Sequence, residues 1–348
     1  MNIMIVTDAW EPQVNGVVRT LIQTQLELSR MGHEVHLLTP LDFRTIACPT
    51  YPEIRLSLAS KRRVAARIDS IAPDALHIAT EGPLGMAARA YALQRGLSFT
   101  TAYHTRFPEY IQARIGLPLS WSYRFLRWFH GPATAVMVPT PVVKRDLETY
   151  GFPASQVVLW SRGVDLDLFK PGPPFPNEEK PPVFLCVGRV SIEKNIEAFL
   201  KLDLPGTKWV AGAGPLLNDL KRRYPAVRFT GVLDQSALAS LYNAADVFVF
   251  PSRSDTFGLV LLEAMGCGCP VAAYPVTGPI DVLGDSDAGV MSEDLRQACL
   301  SALNIPRERA RAHAEKFSWR ASTETFLSHL QPFSKDAEAA KNEHHAHR

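Results

Sequence analysis

Long apolar runs are missing from this chain. The longest, such as Phe257–Leu262, fall far short of the ~18 residues that a membrane-spanning helix needs. The start, Met1-Asn2-Ile3-Met4-Ile5-Val6-Thr7-Asp8, lacks a basic region and a small-residue cleavage site. It reads as a buried strand rather than a signal peptide, so the expectation is a cytoplasmic protein. Charge of one sign is also missing: 37 Lys and Arg against 35 Asp and Glu leave a net of +2, too little to call for a nucleic acid. Cysteine is sparse and odd in number, at 48, 186, 267, 269 and 299, which argues against a disulfide framework. Cys267-Gly268-Cys269 has no second pair at zinc spacing, so free thiols in a packed segment are expected, and no metal. The three-glycine dinucleotide pattern is absent after the first strand and only partial at Gly212-Ala213-Gly214, which weighs against a nicotinamide enzyme.

What is present is an ordinary globular composition, 46% hydrophobic and 21% charged over 348 residues, long enough for two domains. Short apolar runs at Ile3–Thr7, Glu34–Thr39, Ala75–Ile78, Ser98–Thr101 and Ala135–Val138 alternate with helical stretches at Val17–Arg30 and near 61–71, 84–95 and 141–150. The proline-rich, charged segment Pro171–Pro182 has the composition of a linker. The pattern then restarts, with strands at Val183–Val187, Lys208–Ala211, Val227–Thr230, Val247–Phe250 and Val271–Ala273. Helices are expected between them near 194–202, 214–223, 235–244 and 258–267. Such alternation means α/β architecture with parallel sheets. The division expected is a domain over 1–168, a second over 169–310, and a C-terminal helix over 311–330, bent at Phe317-Ser318-Trp319, that packs back on the first. The tail 331–348 is nearly devoid of large apolar residues and reads as disordered, with His344-His345-Ala346-His347 a solvated end rather than a metal site. Two parallel-sheet domains leave a cleft between their facing loops, where ligands of such sheets bind.

Four loops carry the chemistry. Gly188-Arg189-Val190-Ser191-Ile192-Glu193-Lys194-Asn195 follows a strand and opens a helix. Free amides and a positive dipole end meet there, and Arg189 and Lys194 suit a diphosphate gripped from two sides; the alternative is a solvated turn. Ser254–Met265 follows Val247–Phe250 and holds Asp255 before a helix and Glu263 about two turns on, at a spacing that lines one side of a site. The helix is apolar nearly all round and therefore buried, so Glu263 needs polar partners. A carboxylate there suits vicinal ribose hydroxyls, and Asp255 suits either sugar hydroxyls or a plain N-cap. His104, after Ser98–Thr101, is placed to face the cleft, although a lone histidine is more often structural. Asn15-Gly16, at a helix start, permits close backbone approach.

These motifs resemble family 4 of the glycosyltransferases, retaining and metal-independent enzymes of the GT-B fold: two Rossmann-like parallel-sheet domains facing across a cleft. Phe229–Leu233, Ala244–Ser252, Arg162–Phe169 and Asn15-Gly16-Val17 also match, so the resemblance runs from the first strand to about residue 330. It implies that Arg189 and Lys194 hold the donor diphosphate and Glu263 the nucleotide ribose. Asp255 and the amides of Phe257, Gly258 and Leu259 would meet the donor sugar and phosphates, and the backbone at Gly231, Val232 and Leu233 the base. His104 would lie by the transferred sugar, and Gly16 would approach the phosphate. The family usually has Glu where Asp255 stands, a difference of about 1.5 Å in reach. The implied reaction needs no side-chain nucleophile and no cofactor. The acceptor attacks on the face the diphosphate leaves, and that phosphate takes its proton.

Residues 1–165 hold 17 basic and 13 acidic residues, a net of +4, against 20 and 22, a net of −2, in the remainder. In this basic half the run Arg114–Phe129 combines Trp121, Arg124, Arg127 and Trp128, as an interfacial helix does, with Lys61-Arg62-Arg63 and Arg67 adding charge. The same run also reads as a partly buried helix whose aromatics are core. Asn-Gly-Val and Tyr-His-Thr resemble the subgroup that glycosylates membrane lipids. The reading is therefore transfer of glucose or glucuronate from a UDP-sugar to a lipid such as diacylglycerol, by a protein peripheral on the cytoplasmic face of the inner membrane. The alternative is a GDP-mannose-dependent mannosyltransferase acting on a lipid or polysaccharide. A nicotinamide oxidoreductase and an inactive nucleotide-sugar-binding protein are the other classes weighed.

Overall fold

The computed structural model describes residues 1–13, 15–48, 51–109, 112 and 116–333. The histidine-bearing tail 334–348 and part of the run 110–115, with Arg114, lie outside them. The chain divides into two compact units: Met1–Ser161 with the stretch from Ser322, and Arg162–Ala321.

The first unit is built on a six-stranded sheet ordered β2-β1-β5-β6-β7-β8. Its strands are β1 (Asn2–Val6), β2 (Glu34–Leu38), β5 (Ala75–Ile78), β6 (Thr100–Ala102), β7 (Ala135–Val138) and β8 (Val157–Leu159), and every pair is parallel. Residues Ile3–Val6 are wholly buried, as a parallel strand covered on both faces must be, which is why the strand reads as an unbroken apolar run. The helix Gly16–Arg30 starts where the Asn15 side chain accepts the amides of Val17 and Val18, both at 3.0 Å, a side-chain N-cap. An antiparallel hairpin, β3 (Thr45–Cys48) with β4 (Tyr51–Ser57), stands apart from the main sheet.

The second unit repeats the plan, ordered β11-β10-β9-β12-β13-β14: β9 (Val183–Val187), β10 (Thr207–Ala211), β11 (Arg228–Gly231), β12 (Val247–Phe250), β13 (Val271–Ala273) and β14 (Gly289–Met291). The order reverses between β9 and β12, and in the first sheet between β1 and β5. At such a reversal the loops beyond the strands' carboxyl ends splay apart and leave room for a ligand.

The sequence reading misses β3, β4, β8 and β14. Pro49 and Pro52 break the hairpin's pattern, and β8 and β14 are edge strands of three residues, too short to show a period. The C-terminal helical stretch is two helices, Arg307–Ala314 and Trp319–His329. The chain breaks between them because Phe317 and Ser318 bind Val164 instead, through an isolated bridge and a 3.2 Å hydrogen bond. Gly163 permits this approach, since a Cβ there would lie 2.3 Å from the Trp319 nitrogen. Beyond the break, Phe326 and Leu330 pack with Ile3, Ile5, Leu21 and Trp160 in the first unit's core.

Candidate functional site

In the second unit the loops after β9, β10 and β12 interlock. The amide of Val190 donates to Ala213 O at 2.9 Å and that of Leu216 to Val190 O at 3.0 Å. Gly212 lies so close that a Cβ would stand 2.0 Å from Gly188 O, and its φ is +130°, so the partial glycine pattern at 212–214 serves loop packing. The loop after β9 is a 3-10 turn at Ile192–Lys194, then Asn195 in the left-handed region (φ +50°), then a short helix at Ile196–Leu200. Asn195 Nδ2 donates to Pro251 O at 3.0 Å, and the hydroxyls of Ser252 and Ser254 donate to Glu193 O. The loop bearing Arg189 and Lys194 is thereby fastened to the loop bearing Asp255.

The Lys194 ammonium and the Asp255 carboxylate form an ion pair, mostly withdrawn from solvent. Asp255 caps no helix. The helix it precedes runs Leu259–Gly266, with Gly258 in the N-cap position and no side chain capping it. Glu263 therefore stands one turn into that helix, and the spacing of eight from Asp255 is not helical. The expectation of about two turns between them is corrected: the helix begins at Leu259, four residues after Asp255. Asp255 Oδ2 is buried and accepts no hydrogen bond. Cys186 lies beneath the pair, its thiol pushed up to about 12 by burial, with Lys194 pulling down and Asp255 pushing up. Cys267 and Cys269 are free and buried, as expected of packed thiols.

Glu263 is 5% exposed. Its Oε2 accepts the hydroxyl of Tyr242 at 3.1 Å, a partner the sequence reading missed, because 21 residues and a strand separate the two. Phe257 is a core side chain. Gly231 ends β11 with φ +75° and its carbonyl holds the Gly212 amide at 2.7 Å. Val232 beside it is 63% exposed, and Leu233 packs on the core.

In the first unit, Gly16 opens its helix behind the Asn15 cap. His104 follows β6, and its ring meets the buried Trp160 edge-on at 5.6 Å. Trp160 also touches His77 and Phe326. Two further groups at this sheet's carboxyl edge escaped the sequence reading. Asp8 accepts the amides of Leu84 and Gly85 at 2.8 and 3.2 Å and the Thr80 hydroxyl at 2.9 Å, and burial pushes its carboxyl up. It fills the start of helix Pro83–Gln94 with an anion the protein supplies itself. His130, wholly buried, meets Thr101 Oγ1 at 2.9 Å and Glu81 Oε1 at 3.2 Å.

The basic aromatic run forms helix Leu119–His130. Tyr123, Leu126, Phe129 and His130 face the core, while Trp121, Phe125 and Trp128 are 69%, 43% and 50% exposed. The two tryptophans are therefore not core residues. Arg89 lies 4.0 Å from the centroid of the Trp128 ring and donates to the carbonyls of Trp128 and Phe129 at 2.6 and 2.8 Å. Arg124 is exposed, and Arg127 donates to the Tyr150 carbonyl. Among the described residues no helix is long and apolar enough to cross a membrane.

Two family models match the chain: Glycosyltransferase Family 4 over residues 14–168, and Glycosyl transferases group 1 over 181–304. The sulfoquinovosyl transferase SQD2 of Arabidopsis thaliana is 31% identical over 85% of this chain and 66% of its own, so the chain spans just under two thirds of that relative. The alpha-monoglucosyldiacylglycerol synthase of Streptococcus pneumoniae is 28% identical over 98% of this chain and 87% of its own. A GDP-mannose-dependent alpha-mannosyltransferase of Corynebacterium glutamicum is 26% identical over 84% and 76%. Among solved structures, the sucrose-phosphate synthase of Thermosynechococcus elongatus superposes with a TM-score of 0.74 at 22% identity, covering 94% of this chain and 97% of its own. Anabaena Alr3699/HepE, in complex with UDP and glucose, superposes at 0.68 and 16% identity, covering 94% and 98%.

Proposed function

Because the chain belongs to family 4 of the glycosyltransferases, the retaining enzymes of the GT-B fold, we propose that it transfers glucose or glucuronate from a UDP-sugar to a membrane lipid such as diacylglycerol. The observation that carries the lipid part is the stripe of exposed Trp121, Phe125 and Trp128 on helix Leu119–His130, with Arg124 and Arg127 beside it. An amphipathic helix with aromatics and cations together lies well at a bilayer interface. The name of one relative, the alpha-monoglucosyldiacylglycerol synthase, favours the same acceptor class.

On this reading Arg189 and Lys194 hold the diphosphate, and the amides of Phe257, Gly258 and Leu259 at the uncapped helix start add partial positive charge. Breaking the sugar–phosphate bond builds negative charge on the departing diphosphate, and fixed cations that need no reorganisation stabilise it. Lys194 then serves two anions, Asp255 and phosphate. The unpartnered Asp255 Oδ2 is an acceptor for a hydroxyl of the donor sugar. Glu263 takes the ribose hydroxyls, and the backbone at Gly231, Val232 and Leu233 takes the base. GDP-mannose as donor is the second reading, favoured by the mannosyltransferase relatives.

The test is turnover by purified protein on vesicles containing diacylglycerol, with UDP-glucose, UDP-glucuronate and GDP-mannose in parallel. A glycolipid formed from a UDP-sugar supports the proposal. Turnover of GDP-mannose alone replaces it with the second reading.

A further inference from the structure

We infer that Tyr242 is a positioning residue for ribose recognition: its hydroxyl fixes the Glu263 carboxylate so that the site discriminates ribonucleotides from 2′-deoxyribonucleotides. The inference rests on the proposed role of Glu263 as the ribose acid and deepens it.

Tyr242 is wholly buried on helix Gln235–Ala244. Its ring meets Phe248 edge-on at 5.6 Å and Phe169 at 6.1 Å, so packing fixes the position of its hydroxyl oxygen. That hydroxyl donates to Glu263 Oε2. A carboxylate has two oxygens with about four acceptor positions. Engaging one oxygen from a rigid ring sets the rotamer and turns the remaining positions in a defined direction.

Both helices are also fastened to one another. Arg307 donates to Ala245 O at 2.7 Å, Tyr242 O at 3.3 Å and Cys267 O at 3.1 Å. Arg311 donates to Gly266 O and Phe169 O, each at 2.8 Å. One helix, Arg307–Ala314, thus ties the ends of the helices that carry Tyr242 and Glu263. The donor and acceptor are held in register before any ligand arrives, and preorganisation of this kind sharpens discrimination for a hydroxyl. A phenylalanine at 242 keeps the ring and its packing and removes the hydroxyl.

The experiment is titration calorimetry on the full chain with UDP, 2′-deoxy-UDP, GDP and 2′-deoxy-GDP, for wild type, Tyr242→Phe and Glu263→Ala. For whichever base binds, Tyr242→Phe is expected to weaken the ribonucleotide about threefold to tenfold, the size of one hydrogen bond. The deoxynucleotide should change by less than about twofold, so the preference ratio shrinks. Glu263→Ala should abolish the ratio. A ratio lost in Glu263→Ala but undiminished in Tyr242→Phe overturns the inference and leaves the ribose reading standing. A wild-type ratio near one, or one that Glu263→Ala leaves in place, overturns the ribose reading and the inference with it.

Discussion

At the scale of single residues, Lys194 carries two functions that pull against each other. Its charge is already balanced by Asp255, yet on the proposed reading it must also meet a diphosphate. Lys194→Ala is expected to lower kcat/KM by about 100-fold or more, read from initial rates with the donor that turns over; a loss under tenfold would remove Lys194 from the diphosphate site. Asp8 offers a pH prediction. Burial raises its carboxyl above the ordinary 3.8, so the native state keeps this proton to higher pH than the unfolded chain does. Its contribution to stability therefore grows as pH falls through the folded value and is complete below 3.8, by linkage. In urea titrations, wild type should gain on Asp8→Asn between pH 7 and pH 4. A stability difference that does not move with pH rejects this.

Helix Leu119–His130 shows what an element adds to its residues. Composition alone left two readings of its aromatics open, and they separate by phase: Tyr123, Leu126 and Phe129 turn inward, and Trp121, Phe125 and Trp128 outward. Spacings of four and three put the second set on one stripe. If that stripe enters a bilayer, Trp121→Ala combined with Trp128→Ala should reduce co-sedimentation with anionic vesicles by about tenfold or more, given ~1.5–3 kcal/mol for each large apolar side chain buried. Wild-type binding should weaken as salt screens the neighbouring arginines. Undiminished binding by the double variant would end the membrane role of this helix. The same phase argument failed at Asp255 and Glu263. A helical spacing was assumed across Asp255–Glu263, of which only Leu259–Glu263 are helical.

For the whole molecule, each unit has its own parallel sheet and its own cores, and the chain returns from the second to the first through Trp319–His329. A nucleotide diphosphate that binds only the native state stabilises by about 2.7 kcal/mol at 100 times its Kd. For units of this size that is a rise of several degrees in melting temperature. A thermal-shift screen is expected to give that rise with UDP and not with inorganic phosphate or NADH. A rise with NADH alone would restore the oxidoreductase class.

Ten of the twelve main-sheet strands were legible from their apolar runs, because a strand buried on both faces has no choice but to be apolar along its length. The loops bearing Arg189, Lys194 and Asp255 were legible as well, since a charged or glycine-rich stretch just past such a run stands out against it. What the sequence could not contain is which groups meet across it. The Lys194–Asp255 pair joins residues 61 apart, Tyr242 and Glu263 join two helices, and Asp8 reaches the start of a helix 76 residues on. Such pairings leave no period and no local pattern. Buried polar groups must find partners wherever the packed sheet brings them, and that is decided only when the chain has folded.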